Sequence, residues 1–320
     1  MKFTTFAKAA ALAAGVFCTA AQAADQTYIA TTAIVEHPAL DSVRAGIKDS
    51  LMENGYNEEN LKFTFESAQG SPATAAQIAR KMVGSEPDLI VAIATPSAQA
   101  AVSASENIPV IFSVVTDPLG AKLVNNVEQP GGNVTGLSDM LPLAQQLELL
   151  QEIMPNLKTL GVPYNPGEPN AVSSVEALKV VAKEKGIKII EAPAPKSSDV
   201  ALASQKLIGK ADAIYCPIDN TIISALEAVV KTGIDGQIPV FAADTDSVAR
   251  GAIAALGFNY YDLGKQTGEL VLRVLNGEKA GDIPVKFAEG TNLAINPKMA
   301  ARMGIELPAS VTERATQVIE

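Results

Sequence analysis

The chain has no tryptophan, a single histidine (His37) and two cysteines, of which Cys18 falls in an apolar leader, so Cys216 is the one thiol expected in the mature protein. Each scarcity removes a class of chemistry. A lone cysteine cannot form an internal disulfide, and a thiol nucleophile needs a base beside it, whereas His37 lies far away in the sequence. A buried, inert thiol at a strand end is the expected role of Cys216. One histidine without cysteine partners falls short of the usual transition-metal ligand set, so Glu36, His37 and Asp41 read as hydrogen-bonding groups rather than a metal cluster. Gly131 and Gly132 follow Gln129-Pro130 and read as a turn, not a phosphate loop. No Gly-x-Ser-x-Gly elbow occurs, and no cofactor is expected. Basic residues are also in deficit, 25 against 35 acidic, and the net charge of −10 deepens by two if Lys2 and Lys8 leave with the leader. Nucleic acid is therefore not an expected partner.

What is present begins at the N-terminus. Lys2 and Lys8 precede an apolar stretch from Ala9 to Ala20, followed by Ala21-Gln22-Ala23 before Ala24, the order of a cleaved secretory signal. The run is shorter than the ~20 residues that span a bilayer. Phe17 stands before Cys18 where a lipoprotein signal wants a small residue. Residues 1–23 are thus expected to be a signal peptide, and the mature chain a soluble periplasmic protein starting at Ala24. Its roughly 300 residues exceed what one core usually organises, which favours two lobes.

Along the chain, β-branched apolar runs alternate with longer helical patterns, the mark of βαβ units around parallel sheets. Strands are expected at Tyr28 to Val35, Leu61 to Glu66, Asp88 to Ala94 and Pro109 to Val114, with helices at Pro38 to Asn54, Ser71 to Val83 and Pro96 to Ala104. A turn cluster at Gln129 to Asn133 precedes a strand, Val134 to Leu137, and a helix, Leu143 to Ile153. The alternation then restarts, with strands at Leu157 to Val162, Ile187 to Glu191, Ala211 to Cys216 and Pro239 to Ala242. Helices are expected there at Asn170 to Lys185, Val200 to Ile208 and Ile222 to Thr232. A further strand, Ala252 to Gly257, and a long helix, Tyr261 to Leu275, suggest a chain that crosses back to the first lobe and returns near Gly290 to Ile295. The expectation is an α/β protein of two doubly wound, Rossmann-like lobes joined by hinge strands. One lobe would hold residues 24–138 and about 257–290, the other 139–256 and about 291–320.

In open α/β sheets a ligand sits beyond the carboxyl ends of the strands, where helix N-termini offer free N–H groups. Thr95-Pro96-Ser97 places hydroxyls and a proline at such a start, a good cap and equally a seat for a carboxylate. Ser113, Val115 and Thr116 form a second such loop in the same lobe. The opposite lobe offers Glu168, Asp219 and Asp244, with Asp246 beside the last; each either caps a helix or meets an ammonium group withdrawn from water.

These loops have a familiar order. Glu36-His37-Pro38-Ala39-Leu40-Asp41, Thr95-Pro96-Ser97-Ala98-Gln99-Ala100, Val115-Thr116-Asp117-Pro118, Gly131-Gly132-Asn133-Val134-Thr135-Gly136, Tyr164-Asn165-Pro166-Gly167-Glu168-Pro169-Asn170 and Pro217-Ile218-Asp219-Asn220 resemble the substrate-binding proteins of ABC transporters, in the family with tryptophan- and phenylalanine-binding members. The resemblance implies a type I periplasmic-binding-protein fold that closes on a solute without chemistry, with a membrane permease and an ATPase as partners. By the same analogy the ligand, an aromatic or branched amino acid, would place its carboxylate at Thr95, Ser97 and the Ser113–Thr116 loop and its ammonium at Asp219 or Asp244. Tyr164, Asn165, Glu168 and Asn170 would close the cleft, while Glu36 and His37 line the first loop. Phe112, Tyr164, Phe258, Tyr260 and Tyr261 are candidates for apolar walls. Two other readings share the residues: a periplasmic sensor subunit, and an exported α/β enzyme that would have only carboxylates for acid–base work.

Overall fold

A computed structural model describes residues 26–320. The expected signal peptide, residues 1–23, lies outside them. Strands β1 (Thr27–Ala33), β2 (Leu61–Ser67), β3 (Leu89–Ile93), β4 (Val110–Ser113) and β5 (Val134–Ser138) alternate with helices α1 (Pro38–Glu53), α2 (Pro72–Gly84) and α3 (Thr95–Ala104). After α4 (Leu143–Ile153) come β6 (Thr159–Tyr164), α5 (Pro169–Glu184), β7 (Lys188–Pro193), α6 (Val200–Gln205), β8 (Ala213–Cys216), α7 (Asn220–Ser224), α8 (Leu226–Gly236), β9 (Val240–Ala242) and α9 (Asp246–Ala249). The chain ends with β10 (Ala254–Phe258), α10 (Tyr260–Leu275), β11 (Lys286–Phe287), β12 (Thr291–Ile295), α11 (Pro297–Arg302), α12 (Ala309–Thr312) and β13 (Gln317–Val318).

The strands form a six-stranded parallel sheet, β11-β5-β4-β3-β1-β2, and a four-stranded parallel sheet, β7-β6-β8-β9. A third sheet, β10-β12-β13, pairs β10 and β12 antiparallel. Central strands such as β3, Leu-Ile-Val-Ala-Ile, are buried at every position, as a parallel sheet covered on both faces requires. Two apolar cores result. One joins β1 to β5 with Phe258, Leu263, Val271 and Ile283 from late in the chain. The other runs from Leu147 through Ala255 and resumes at Leu293. The chain therefore leaves the first core after β5, builds the second, and comes back with α10.

One expected helix is two. The segment foreseen as Ile222 to Thr232 divides at Ala225, whose backbone leaves helical geometry. Asp219 caps the chain one turn earlier through Ile222 N, and the Arg250 guanidinium takes the Ile223 carbonyl at 2.8 Å. A side chain far away in sequence thus competes with the helix for its own acceptor.

The return of α10 depends on glycine. Helices α1 and α10 approach so closely that a Cβ on Gly264 would lie 2.2 Å from Val43 O, and one on Gly46 would lie 2.2 Å from Tyr261 O. Gly268 faces Ser50 in the same row, and Tyr261 Oη donates to Asp49 at the rim. Substituting Gly264→Ala should lower stability by about 1–3 kcal/mol despite the helix-propensity gain, because the obstructing atom is backbone. Gly84→Ala, with nothing within 4 Å, is the control and should be neutral or stabilising; thermal unfolding of both variants checks this.

Candidate functional site

The carboxyl ends of β3 and β4 are bent out of ordinary backbone geometry. Ala94 has φ 70° and ψ 155°, a region occupied almost exclusively by glycine, and the β-branched Val114 has φ 50°. Each such residue costs on the order of 1–3 kcal/mol and persists where the surroundings over-determine it, commonly at ligand clamps. Beyond Ala94, α3 opens with Thr95, whose buried hydroxyl has no partner. Ser97 Oγ, in the same first turn, is likewise buried and unpartnered. Beyond Val114, Thr116 Oγ1 donates to Asp139 Oδ1 at 3.0 Å, and Tyr260 Oη donates to Asp139 Oδ2 at 3.1 Å.

The second lobe brings its own strand ends to meet these. Asp219, after β8, accepts Ile222 N at 2.9 Å and Asn165 N at 2.5 Å. Asp244, after β9, accepts Ser247 N at 2.8 Å and Ser247 Oγ at 2.6 Å. Both therefore do cap helices, as one of the two sequence readings had it. Glu168 receives Asn220 Nδ2 at 2.6 Å and Thr221 Oγ1 at 2.6 Å, together with the backbone N–H groups of both residues, so it clamps the start of α7. Asn170 Nδ2 donates to Ile218 O, which leaves its Oδ1 buried and unpartnered.

Between the lobes these groups line a cavity of about 20 Å³. That is room for roughly one water, so a solute of amino-acid size enters only if the lobes part. Its walls include Asp139, Asp219 and Asp244, all buried, and among the described residues none of its lining side chains is a lysine or arginine. Burial pushes the Asp139 carboxyl up to about 6, against the opposing hydrogen bonds from Thr116 and Tyr260. Asp219 is raised by burial and then by the Glu168 charge, and Asp244 is raised by burial. The nearby cation, Arg250, is engaged bidentately with Glu227. Burial and the Arg250 charge hold the His37 imidazole down at about 4, hence neutral.

Of the candidate residues, the cavity gathers His37, Thr95, Thr116, Asn170, Asp219 and Asp244. Asn165 and Glu168 line an adjoining groove with Ile34 and Gly70. Others point elsewhere. Glu36 is exposed; Ser97 and Val115 are buried outside the cavity walls; Ser113 Oγ bonds Thr267 Oγ1 of α10 at 2.7 Å; and Tyr164 Oη donates to Glu191 on the outer side of β7. Asp139 was missed, although it stands just past β5 and the strand-end rule reaches it. Tyr260 was foreseen only as an apolar wall, whereas its hydroxyl holds Asp139. Cys216 is fully buried, with its thiol raised by burial. A polar contact also joins the lobes outside the cavity, Ser173 Oγ to Asp117 Oδ2 at 3.2 Å.

If the backbone at Ala94 is strained as its angles imply, Ala94→Gly should raise the thermal midpoint, by an amount equivalent to ~1 kcal/mol or more, where Ala→Gly ordinarily destabilises. A lowered midpoint would show that the fold bears no strain there.

Comparisons with known proteins agree with this architecture. The family model described as ABC transporter substrate binding protein matches residues 28–319. A tyrosine-binding protein of Clostridioides difficile is 42% identical over 272 residues, 85% of this chain and 79% of that protein. A domain from Streptococcus pneumonia solved in complex with L-Trp superposes with a TM-score of 0.89 at 38% identity, covering 92% of this chain and all of that one. The ligand-free, open structure of a substrate binding protein with adhesive properties from Clostridium difficile gives 0.69 at 40% identity, covering 91% and 99%. The parallel sheets, the cavity between them and the family match over nearly the whole described chain lead to one conclusion: the protein belongs to the ABC transporter substrate-binding protein family and has the type I periplasmic-binding-protein fold.

Proposed function

We propose that this chain is the solute-capturing component of an ABC importer, exported to the periplasm, and that its ligand is an aromatic amino acid. Lobes of residues 24–138 with about 257–290, and 139–256 with about 291–320, would close on it and present it to a membrane permease with its ATPase. The observation that carries the reading is the buried trio Asp139, Asp219 and Asp244 on a cavity that, among the described residues, no lysine or arginine lines. Buried carboxylates call for a cation, and an α-ammonium group supplies both charge and three donors. The first turn of α3, with Thr95 Oγ1 unpartnered at the cavity wall, offers donors to the α-carboxylate. Relatives named for tyrosine and solved with tryptophan support an aromatic side chain.

Closure follows from the same chemistry. A ligand touching both lobes favours the state in which both sets of contacts are made, and its ammonium offsets carboxylates that closure alone would leave buried. No turnover is expected: the thiol is buried and raised, and the imidazole is neutral but faces no nucleophile.

Isothermal titration of the mature protein, freed of carried ligand, should give tight binding of L-tyrosine or L-tryptophan and none of sugars; absence of binding by every aromatic amino acid would overturn the reading. The pH dependence has a definite sign. With the carboxyl of Asp139 at about 6, lowering the pH through 6 neutralises it. Affinity should then fall by up to about tenfold per pH unit, with Asp219 and Asp244 acting in the same direction. Asp139→Asn should bind at least about tenfold more weakly at pH 7.5 and show a flatter profile.

A further inference from the structure

Three buried polar atoms on residues of the cavity wall have no partner: Thr95 Oγ1, Asn170 Oδ1 and His37 Nδ1. A threonine hydroxyl turns to give or take a hydrogen bond, and an imidazole nitrogen does either according to its tautomer. Asn170 has no such latitude. It is 3% exposed in the first turn of α5, and its Nδ2 donates to Ile218 O at 3.0 Å and to Glu168 Oε2 at 3.3 Å. Glu168 also takes the N–H groups of Asn220 and Thr221 and the Thr221 hydroxyl, acting as an acceptor throughout. Turning the Asn170 amide over would set its oxygen against two acceptors. Oδ1 is therefore fixed as a desolvated acceptor that a donor in the cleft must satisfy.

Its position says which donor. The bond to Ile218 O ties Asn170 to the residue preceding Asp219, and all three line the cavity. The Asp219 oxygens each receive one backbone N–H, from Ile222 and from Asn165, and each keeps a further lone pair. An α-ammonium group brings three N–H bonds, and each one withdrawn from water needs an acceptor. We propose that Asn170 is a specificity-determining residue, its Oδ1 accepting one N–H of the ligand's α-ammonium beside Asp219, so that the site selects a primary amine. The proposal rests on the reading of the site as an aromatic amino-acid cleft and adds that an N-methylated amino acid is rejected although its charge is unchanged. Carboxylates alone discriminate poorly between the two, because their attraction is for the charge. A neutral amide is the weaker acceptor, so it is the one a methyl group displaces. An acceptor left buried and empty penalises that ligand, and sites built to bond an N–H reject the analogue lacking it.

The test is isothermal titration of L-tyrosine and L-tryptophan, their N-methyl derivatives and L-phenylalanine into the mature wild type and Asn170→Ala, both freed of carried ligand. The wild type should bind each primary amine at least about tenfold more tightly than its N-methyl derivative. In Asn170→Ala the three unmodified amino acids should weaken by a common factor of about ten, and the preference for the primary amine should fall to within about threefold, because the methyl group enters the space the amide has left. A wild type that binds the methylated and unmodified forms alike would overturn the proposal without recourse to the variant. So would an Asn170→Ala protein that weakens the N-methyl ligands as much as their parents, since Asn170 would then serve only to hold α5 against Ile218. Weakening of tyrosine with phenylalanine spared would overturn it too, because the donor would then be the phenol. If the wild type binds no aromatic amino acid at all, the aromatic reading itself fails, and this inference with it.

Discussion

Desolvation of Asp139, Asp219 and Asp244 governs the seam between the lobes. Each carboxylate is withdrawn from water, and the fold tolerates it only through the donors arrayed around it: Thr116 and Tyr260 for the first, backbone amides of Asn165 and Ile222 for the second, and Ser247 for the third. These bonds lower the penalty without cancelling it, since all three groups remain raised above the ordinary carboxylate range. The lobes therefore meet across a surface that is well packed yet electrostatically unfinished, which is the gap the proposed ammonium group would fill. In that sense occupancy and closure are one equilibrium.

Rigidity on either side of the seam serves the same end. Glu168 fastens α5 to α7, and Gln146 of α4 donates to the carbonyls of Ala243 and Leu256 while receiving Tyr215 Oη. The polar groups that face the cavity thus project from elements whose own hydrogen bonds are satisfied. Among the residues that line the cavity, positive φ falls at Ala94 and Val114, and the first of these leads directly into Thr95 on the cavity wall.

Much of this was legible beforehand, and the exceptions have physical causes. Alternating β-branched runs and helical patterns located the strands of both parallel sheets except β11 to within a few residues, because strands buried on both faces leave little freedom of composition; the two-residue β11 is too short to carry a pattern. Of the residues that the strand-end rule nominates, Thr95, Thr116, Asp219, Asp244, His37 and Asn170 line the cavity. The rule misjudged Ser113 and Val115, since facing along a strand follows alternation only while the backbone stays extended, and the positive φ of Val114 breaks that parity. Tyr164 sits at the end of a strand but turns outward to Glu191. Asp139 stands at a strand end like the others, but α4 begins only at Leu143, so no helix start follows it to give the capping signal. The interruption at Ala225 depends on Arg250, a partner no local pattern reveals.

The crossing topology has a consequence in time. Strands β1 to β5 leave the ribosome first, but the helix that covers them, α10, and their edge strand, β11, are made only after the entire four-stranded sheet of the other lobe. During synthesis the first segment must wait for α10, with the row of Gly46, Gly264 and Gly268 as the place where the two finally interlock. Long loops close slowly, so the lobe that is first in sequence is completed only after most of the other has been made, and a shortened chain ending before Tyr260 would lack the part of its core supplied by Tyr260, Leu263, Leu270, Val271, Ile283 and Val285.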